Sequence, residues 1–212
     1  MIGELWVDDP RGIALAAEAV AVGDVVGFPT DTVFGIGCAA SNPDAITRLA
    51  EVKQRAPSQP LILMTADWEE MADFVRWPSK ARDLIQRFWP GPLTLIVEAH
   101  ALAAALGGGA TVGVRVPDHP TALRLLRRTG PLATSSANRH AQEPAVDARS
   151  AVSQLPGLAG ALEDPDGPRV GGAASSILDL TRDPPVLIRE GRLSARELGV
   201  PVPEQEPGLR RD

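Results

Sequence analysis

The sequence predicts an α/β fold, a single domain built on a mixed β-sheet. Short apolar segments typical of buried strands alternate irregularly with segments whose apolar residues recur at helical spacing. The 212 residues, 44% hydrophobic and 23% charged, have the composition of an ordinary globular protein. No repeat, linker or change in composition divides them. We therefore expect one domain over residues 1–202 and a polar, disordered tail over residues 203–212.

The predicted elements of the first half begin with a helix and a strand. Residues 11–22 are rich in alanine at helical spacing and are followed by Gly23, which is typical of a helix end. A strand over residues 24–28 leads into a glycine-rich turn, and a helix over residues 42–53 has Pro43 suited to its first turn. The other predicted elements of this half are a strand at 60–64, amphipathic segments at 67–75 and 79–88, and a strand at 93–97.

The second half begins with a glycine-rich connection over residues 101–110, which we expect to be mobile. The remaining predicted elements are a strand at 111–116, a basic helix at 120–128, a strand at 131–134, a loop at 139–144, a helix at 147–154, and late strands at 175–180 and 185–189.

Charge and cysteine content exclude several classes of protein. The net charge of −6 argues against a protein coated in positive charge for general nucleic-acid binding, although it leaves room for a local basic cleft. The single cysteine, Cys38, cannot form an intramolecular disulfide, and no Cys/His cluster resembles a zinc site. We find neither an apolar signal-peptide core nor a run long enough to span a membrane. The sequence thus predicts a cytoplasmic protein with no membrane partner.

The most informative stretch of the chain runs from Phe28 to Gly37. It places Thr30, Asp31 and Thr32 after a predicted buried strand, where polar groups require polar partners. Loops held by a rigid sheet often carry ligand-contacting groups. The alternative is a turn in which Asp31 and Thr32 bond only to the local backbone.

Two basic motifs are candidate anion sites. Lys53 and Arg55 follow a predicted helix, and a lysine beside an arginine can clamp phosphate. The alternative for this pair is a solvated helix end. Arg115 lies within an apolar predicted strand, where a charge is costly unless it is paired. Arg115 either pairs with an acidic residue of the fold or presents its fork to an anionic ligand, for which a carboxylate is the natural partner.

Small hydrogen-bonding side chains follow another predicted strand. Thr134, Ser136 and Asn138 can contact ligand oxygens without steric bulk. The alternative is that they cap the next segment. Ser175 and Arg189 lie on the two late strands and are weak signals alone. The chain has no Gly-x-x-x-x-Gly-Lys-Ser/Thr loop, so a nucleotide would bind in another way.

Seven motifs together resemble a known family, the YrdC/TsaC-type threonylcarbamoyl-AMP synthases in their short bacterial form. The resemblance covers about residues 10 to 195. The motifs, in chain order, are Pro29-Thr30-Asp31-Thr32-x-Phe34-Gly35, Lys53-x-Arg55, Phe88-Trp89-Pro90-Gly91-Pro92-Leu93-Thr94, Val114-Arg115-Val116-Pro117-x-His119-Pro120, Ser136-Ala137-Asn138, Ser175-Ser176-Ile177-Leu178-Asp179-Leu180 and Arg189-x-Gly191.

The resemblance implies a fold and an activity. The fold would be an open, twisted mixed sheet with flanking helices and a concave basic cleft. The activity would be a nucleotidyltransferase reaction that forms threonylcarbamoyl-AMP and pyrophosphate from L-threonine, bicarbonate or CO2, and ATP, with Mg²⁺ on the phosphates. The product would serve threonylcarbamoyladenosine modification of tRNA next to the anticodon. tRNA and a downstream threonylcarbamoyl-transferase complex are therefore candidate partners.

The resemblance also implies roles for individual residues. Lys53 and Arg55 would hold the ATP phosphates and carry the catalysis. The threonine-binding residues would be Thr32, Arg115, Thr134 and Ser175, and the further nucleotide-binding residues would be Ser136, Asn138 and Arg189. No protein-held metal site is expected, because a lone Asp31 is too little.

Two departures from the family pattern and two alternative functions accompany this interpretation. Phe34 stands where the family usually has Tyr, and Met64 stands where many members have His. The alternatives are an RNA- or nucleotide-binding module without turnover, and a paralogue that transfers carbamoyl groups to another acceptor. The low aromatic content, 4%, argues against a stacking platform for single strands, and Arg115 favours a substrate with a carboxylate.

Overall fold

The computed structural model describes residues 3–54, 59–104, 106, 109–139, 142–168 and 172–201. The predicted tail over residues 203–212, Arg55 and part of the 101–110 connection lie outside these ranges. The helices are α1 (Pro10–Ala21), α2 (Pro43–Lys53), α3 (Ala81–Phe88), α4 (Ala101–Ala104), α5 (Pro120–Thr129), α6 (Ala148–Gln154) and α7 (Ala195–Leu198). The strands are β1 (Glu4–Trp6), β2 (Val26–Phe28), β3 (Gly35–Ala39), β4 (Ile62–Met64), β5 (Val75–Arg76), β6 (Leu93–Ala99), β7 (Thr111–Arg115), β8 (Leu132–Ser136), β9 (Gly160–Leu162), β10 (Ser176–Asp179) and β11 (Val186–Arg189).

The strands form one mixed sheet, which confirms the predicted α/β class. Their order is β1-β9-β2-β3-β8-β4-β7-β6-β10-β11, and β5 pairs with the end of β6. Parallel pairs (β1 with β9, β9 with β2, β4 with β7, β6 with β10) occur among antiparallel ones. Because neighbours in the sheet are often distant in sequence, the central strands β3, β8, β4 and β7 collect residues from the whole chain.

Helices cover the two faces of the sheet unequally. On one face, α1 and α5 pack against β2 and β8 in a buried cluster that includes Ile13, Val20 and Leu125. On the other face, α2, α3 and α6 cover the central strands in a larger cluster that includes Leu63 and Val114. Since side chains alternate along a strand, the neighbours of Leu63 and Val114 point to the first face, where they lie at the edge of the α1 and α5 cluster and line a cavity. That part of the sheet is the floor of a cleft.

Capping explains why the longer helices begin where they do. The Asn42 side chain accepts hydrogen bonds from the Asp44 and Ala45 amides, and Pro43 occupies the first turn of α2. The helix ends with Gln54 in the left-handed region at φ 53°, and Lys53 is its last residue. The predicted helices at 11–22, 42–53, 120–128 and 147–154 are all confirmed within one or two residues.

The turn predicted after β2 is shorter than expected: it spans residues 29–34, and the glycines that follow belong to strand β3, Gly35–Ala39. Gly37 on β3 has a close neighbour: a Cβ at this position would lie 3.1 Å from Cε1 of Phe28. Cys38 on this strand is fully buried, and burial raises the pKa of its thiol to about 12. Cys38 is therefore a core residue whose thiol stays protonated near neutral pH.

Several short elements were not predicted. Strands β1 and β9 have three residues each and helix α7 has four, too few for a periodic pattern. The 67–75 segment contains a single 3-10 turn, Trp68–Met71, and the start of β5. The connection predicted as mobile contains α4 in its described part. Within the described ranges, no helix combines the length and apolar character needed to cross a bilayer.

Candidate active site

A cavity of about 360 Å³ lies over the open part of the sheet. Its floor follows the strand register: Thr134 on β8 pairs with Ile62 on β4, Ile62 pairs with Gly113 on β7, and Gly113 pairs with Ile96 on β6. The lining residues are Thr30, Thr32, Val33, Gly35, Pro60, Leu61, Ile62, Met64, Thr94, Ile96, Gly113, Arg115, Thr134, Ser135, Ser136, Pro144, Ala174, Ser175, Ile177 and Arg189.

Gly113 has no side chain and therefore leaves space at the centre of this floor. A Cβ at this position would lie 3.3 Å from Cγ2 of Thr94 and 3.6 Å from Cγ1 of Ile62. Glycine in the interior of a strand weakens the strand and often marks a close approach by a ligand. Gly113 was not predicted as a site residue. A glycine at the centre of a strand, where larger residues are usual, could have indicated one.

The Thr-Asp-Thr turn forms one wall of the cavity. Thr30 Oγ1 donates to the Val33 carbonyl at 2.6 Å and lies 3.1 Å from Thr32 Oγ1, and both threonines are buried. Thr30 therefore bonds to the local backbone, the role that the turn alternative assigned to Asp31 and Thr32. Thr32 does more, because its hydroxyl also accepts a hydrogen bond from Arg115 Nη1 at 2.9 Å.

The structure decides between the two interpretations of Arg115 in favour of an acidic partner within the fold. Arg115 Nη2 lies 2.5 Å from Asp31 Oδ1, and Nε donates to the Gly91 carbonyl at 2.9 Å. With the contact to Thr32, these bonds use three of the five N–H groups of a guanidinium. Among the described residues, one N–H on each Nη has no further partner, and Arg115 is in the cavity lining. The ion pair thus orients the fork and still leaves two donors for a ligand.

Burial and three neighbouring charges act on the pKa of Arg115. Burial lowers the pKa of Arg115, Asp31 opposes that shift, and the charges of Arg189 and Arg192 add to it. Asp31 Oδ1 also accepts from the Asp118 amide at 3.1 Å. Its Oδ2 is buried and has no hydrogen-bond partner among the described residues.

A second polar cluster borders the cavity at the end of α2. The buried Lys53 Nζ donates to the Ser136 carbonyl at 2.6 Å and to Asn138 Oδ1 at 3.0 Å. Ser136 Oγ donates to the same Asn138 oxygen at 2.6 Å. Asn138 Nδ2 in turn donates to the Gln142 carbonyl at 2.5 Å. This network fixes an ammonium, a hydroxyl and an amide beside one another.

A third cluster lies on β6 and the late strands. Thr94 Oγ1 and Ser175 Oγ are 2.9 Å apart. Arg189 donates to the Ser175 carbonyl through Nε at 3.1 Å and through Nη2 at 2.9 Å. Burial lowers the pKa of Arg189. Ser175 and Arg189, which were weak candidates from the sequence alone, therefore place a hydroxyl and a guanidinium in the cavity lining.

The structure brings together most of the predicted site residues. Thr32, Arg115, Thr134, Ser136, Ser175 and Arg189 line the cavity. Lys53 and Asn138 are bonded to Ser136 at its border, and Arg55 lies outside the described residues. Thr134 Oγ1 is engaged with the Ile62 carbonyl at 2.9 Å. The basic character of the cleft, which depends partly on Arg55, stays a prediction.

The two departures from the family pattern differ in position. Met64 lines the cavity. Phe34 is 1% exposed in the core, where its Cε1 lies 3.2 Å from the place a Cβ on Gly27 would occupy. A change at Met64 therefore alters the cavity surface directly, whereas Phe34 acts through packing beneath the turn.

Among the described residues, no group of three or more His, Cys, Asp or Glu side chains is arranged to hold a metal ion.

Comparison with known proteins identifies relatives over most of the chain. The sequence model of the family Sua5_yciO_yrdC, described as "Telomere recombination", matches residues 18–191. A Bacillus subtilis (strain 168) protein named threonylcarbamoyl-AMP synthase is 39% identical over 200 residues, 92% of this chain and 57% of that protein. A Mycobacterium tuberculosis (strain H37Rv) protein provisionally named as the same enzyme is 40% identical over 191 residues, 89% of this chain and 88% of that protein.

A solved structure shares the fold. The crystal structure of Pyrococcus abyssi Sua5 complexed with L-threonine superposes with a TM-score of 0.86 and 33% identity, covering 93% of this chain and 60% of that chain. The chain thus spans less than two thirds of some relatives and most of the length of others. Together with the family match over residues 18–191, these likenesses show that the chain belongs to the Sua5/YciO/YrdC family.

Proposed function

We propose that this protein is an L-threonylcarbamoyladenylate synthase. One observation carries the proposal: a single cavity joins an oriented guanidinium fork, Arg115, to an ammonium–hydroxyl–amide cluster formed by Lys53, Ser136 and Asn138. A fork suits a carboxylate, and an ammonium suits phosphate. The names of the Bacillus and Mycobacterium relatives, and the threonine in the Pyrococcus complex, support the same assignment.

The threonine carboxylate would bind at Arg115. Two N–H groups of the guanidinium remain after its contacts with Asp31, Thr32 and Gly91. Asp31 neutralises one positive charge, and Arg189 supplies another close by. The hydroxyls of Thr32 and Ser175 are within the same lining and complete the proposed threonine end.

The nucleotide would bind toward the α2 end of the cavity. Lys53 and Arg55 would neutralise the phosphates, Ser136 and Asn138 would line the adenylate, and Arg189 would contact the nucleotide from the opposite side. Mg²⁺ would arrive on the ATP phosphates, since the one carboxylate of the turn, Asp31, is engaged with Arg115. When bound, the ion would neutralise developing phosphate charge.

The reaction has two bond-forming steps. The threonine nitrogen adds to CO2, or to bicarbonate with loss of water, and releases a proton to form a carbamate. A carbamate oxygen then attacks the α-phosphorus of ATP, the bond to the bridging oxygen breaks, and pyrophosphate leaves. The described part of the cavity offers no obvious general base. Catalysis would therefore rest on positioning and on charge neutralisation by Lys53, Arg55 and Arg115.

The product would be consumed in tRNA modification. A mixed anhydride of carbamate and phosphate is a reactive acyl donor, and the resemblance assigns its acceptor to a tRNA adenosine next to the anticodon. The proposal includes cytoplasmic localisation, direct or indirect contact with tRNA, and a downstream threonylcarbamoyl-transferase complex. The single cysteine of the chain is compatible with a reducing compartment.

One assay tests the proposal. Purified protein is incubated with ATP, Mg²⁺, bicarbonate and L-threonine, and pyrophosphate release and the mass of the adenylate are measured. We expect both products, and neither when threonine or bicarbonate is left out. ATP binding without either product would contradict the synthase and favour a nucleotide-binding module. Product formation with an acceptor other than threonine would favour the carbamoyl-transferring paralogue.

A further inference from the structure

Two late segments pack directly on the Thr-Asp-Thr turn. We call residues 172–175 and 189–192 together the strap. A Cβ on Gly172 would lie 2.3 Å from the Thr32 carbonyl oxygen, and a Cβ on Gly191 would lie 2.1 Å from the Ala174 carbonyl oxygen. Only glycine permits approaches this close. The backbone of the strap therefore touches both the turn and itself without intervening side chains.

Arg192 connects the two halves of the strap to the turn. Its backbone amide donates to the Ala174 carbonyl at 3.0 Å. Its side chain crosses to the turn, where Nη1 donates to the Asp31 carbonyl at 2.8 Å. The residue is exposed, so this bond forms the outer fastening of the turn, opposite the buried ion pair.

Asp31 transmits this contact to Arg115. Its carbonyl is held by Arg192, and its carboxylate is held by Arg115 Nη2 and by the Asp118 amide. Displacing the Asp31 backbone would move the carboxylate that orients the guanidinium. Thr32, the next residue, bonds to Arg115 Nη1 and would move with it. Two of the three internal contacts of Arg115 thus depend on the segment that Arg192 fastens.

We propose that Arg192 is a positioning residue that holds the Thr-Asp-Thr turn so that Arg115 presents its remaining N–H groups to the substrate carboxylate. This inference rests on the proposed synthase function for the identity of the substrate. Arg192 acts through Asp31 and does not take part in bond making. Its charge also contributes to the field at Arg115, so hydrogen bonding and charge must be separated experimentally.

Three substitutions separate these contributions. R192A removes the donor and the charge, R192Q keeps a donor without charge, and R192K keeps the charge and a donor. R196A is the matched control, because Arg196 is an exposed arginine four residues away on α7 whose side chain is outside the site contacts. It changes the net charge as R192A does.

We expect R192A to raise the KM for threonine about 2- to 12-fold, the range for one net hydrogen bond, with kcat and the KM for ATP within about twofold of wild type. R192K and R192Q should recover most of this loss, and R196A should match wild type. If R192Q is as impaired as R192A while R192K is fully active, charge alone acts and the positioning role is overturned. An unchanged KM in R192A also overturns it.

Hydrogen exchange supplies a readout that needs no activity. Amides of the peptide covering residues 28–36 should exchange faster in R192A than in wild type or R196A, because the outer fastening of the turn is lost. If the wild type makes no adenylate, the proposed function fails and this experiment still tests the fastening. If the wild type is active but R192A matches R196A in both KM and exchange, the inference fails and the proposed function stands.

Discussion

At the scale of single residues, the proposed substrate site depends most on Arg115, which lines the cavity and is held by Asp31, Thr32 and Gly91. The sequence shows that a charge within an apolar strand must be paired, but it does not show by what. The answer required a contact between residues 31 and 115, together with the Gly91 carbonyl that holds Nε. Residue types in the site were therefore predictable, whereas their partners depended on strand order. Arg192 escaped prediction because its role is a backbone contact across the chain.

Arg115→Lys tests the fork at this scale. A lysine keeps a charge for Asp31 but cannot make several fixed contacts at once. We expect the KM for threonine to rise about 10- to 100-fold, the loss of one charge-assisted hydrogen bond or more, while ATP affinity falls less than threefold. Arg76→Lys, at an exposed position on β5, is the control and should match wild type. Equal losses of threonine and ATP binding would show that Arg115 supports the whole cavity instead.

At the scale of elements, helices were predictable because their signals are local. Caps and first-turn prolines mark the starts of α1, α2 and α5. Strand β3 was not predictable, since its two glycines resemble a turn; one of them, Gly37, has no room for a Cβ because Phe28 lies close to it. The floor of the cavity likewise follows from register between β8, β4, β7 and β6, which no local pattern encodes.

The start of α6 provides a pH-dependent prediction. Asp147 accepts from the Ser150 hydroxyl and amide, and these hydrogen bonds hold the pKa of Asp147 below its ordinary value. A lowered folded-state pKa means that the stabilisation is present above the unfolded value and is lost as the pH falls through the folded one. Asp147→Ala should cost about 0.5–2 kcal/mol near pH 7, and the difference from wild type should shrink below about pH 4.

Denaturant unfolding at pH 7, 5, 4 and 3 measures this difference. Asp73→Ala removes an exposed carboxylate outside the described hydrogen bonds and ion pairs, and should leave stability within about 0.5 kcal/mol of wild type. A deficit of Asp147→Ala that stays constant from pH 7 to 3 would show that the cap acts without its charge.

The floor of the cavity offers a second test on an element, β7. Gly113→Val places a branched side chain between Ile62 and Thr94, where even a Cβ is tight against Thr94. Valine suits a strand better than glycine, but its contact with buried Thr94 costs packing energy. We therefore expect the protein to stay folded with a modest loss of thermal stability, while kcat/KM falls at least about tenfold, the effect of roughly 1.4 kcal/mol. Gly113→Ala should lie between wild type and valine. Full activity in Gly113→Val would show that the substrates do not bind against this part of the sheet.

At the scale of the whole molecule, the domain class was predictable and the topology was not. Irregular alternation of strands and helices is enough to predict a mixed sheet. The insertion of β9 between β1 and β2, and of β4 between β8 and β7, joins segments with no sequence signal for one another. The cavity exists because α1 and α5 cover only part of one face, which is a property of the assembled sheet.

Ligand binding should stabilise this assembly measurably. A ligand at about 100 times its Kd adds about 2.7 kcal/mol to the free energy of unfolding, which in a domain of this size corresponds to a Tm increase of roughly 5–10 °C. We expect this shift with L-threonine and a much smaller one with threoninol, which lacks the carboxylate. Differential scanning fluorimetry at matched concentrations compares the two. Equal shifts would exclude Arg115 as the carboxylate partner.

The parallel pairing of β2 with β9 sets the order of events during protein synthesis. Val26 pairs with Gly160, so one edge of β2 waits for a partner that leaves the ribosome on the order of ten seconds later. In that interval the N-terminal half presents an unpaired strand edge, which is a template for aggregation. The Thr-Asp-Thr turn directly follows β2 and is fastened by Arg192. A nascent chain would therefore complete the candidate site only after residue 192 has been synthesised.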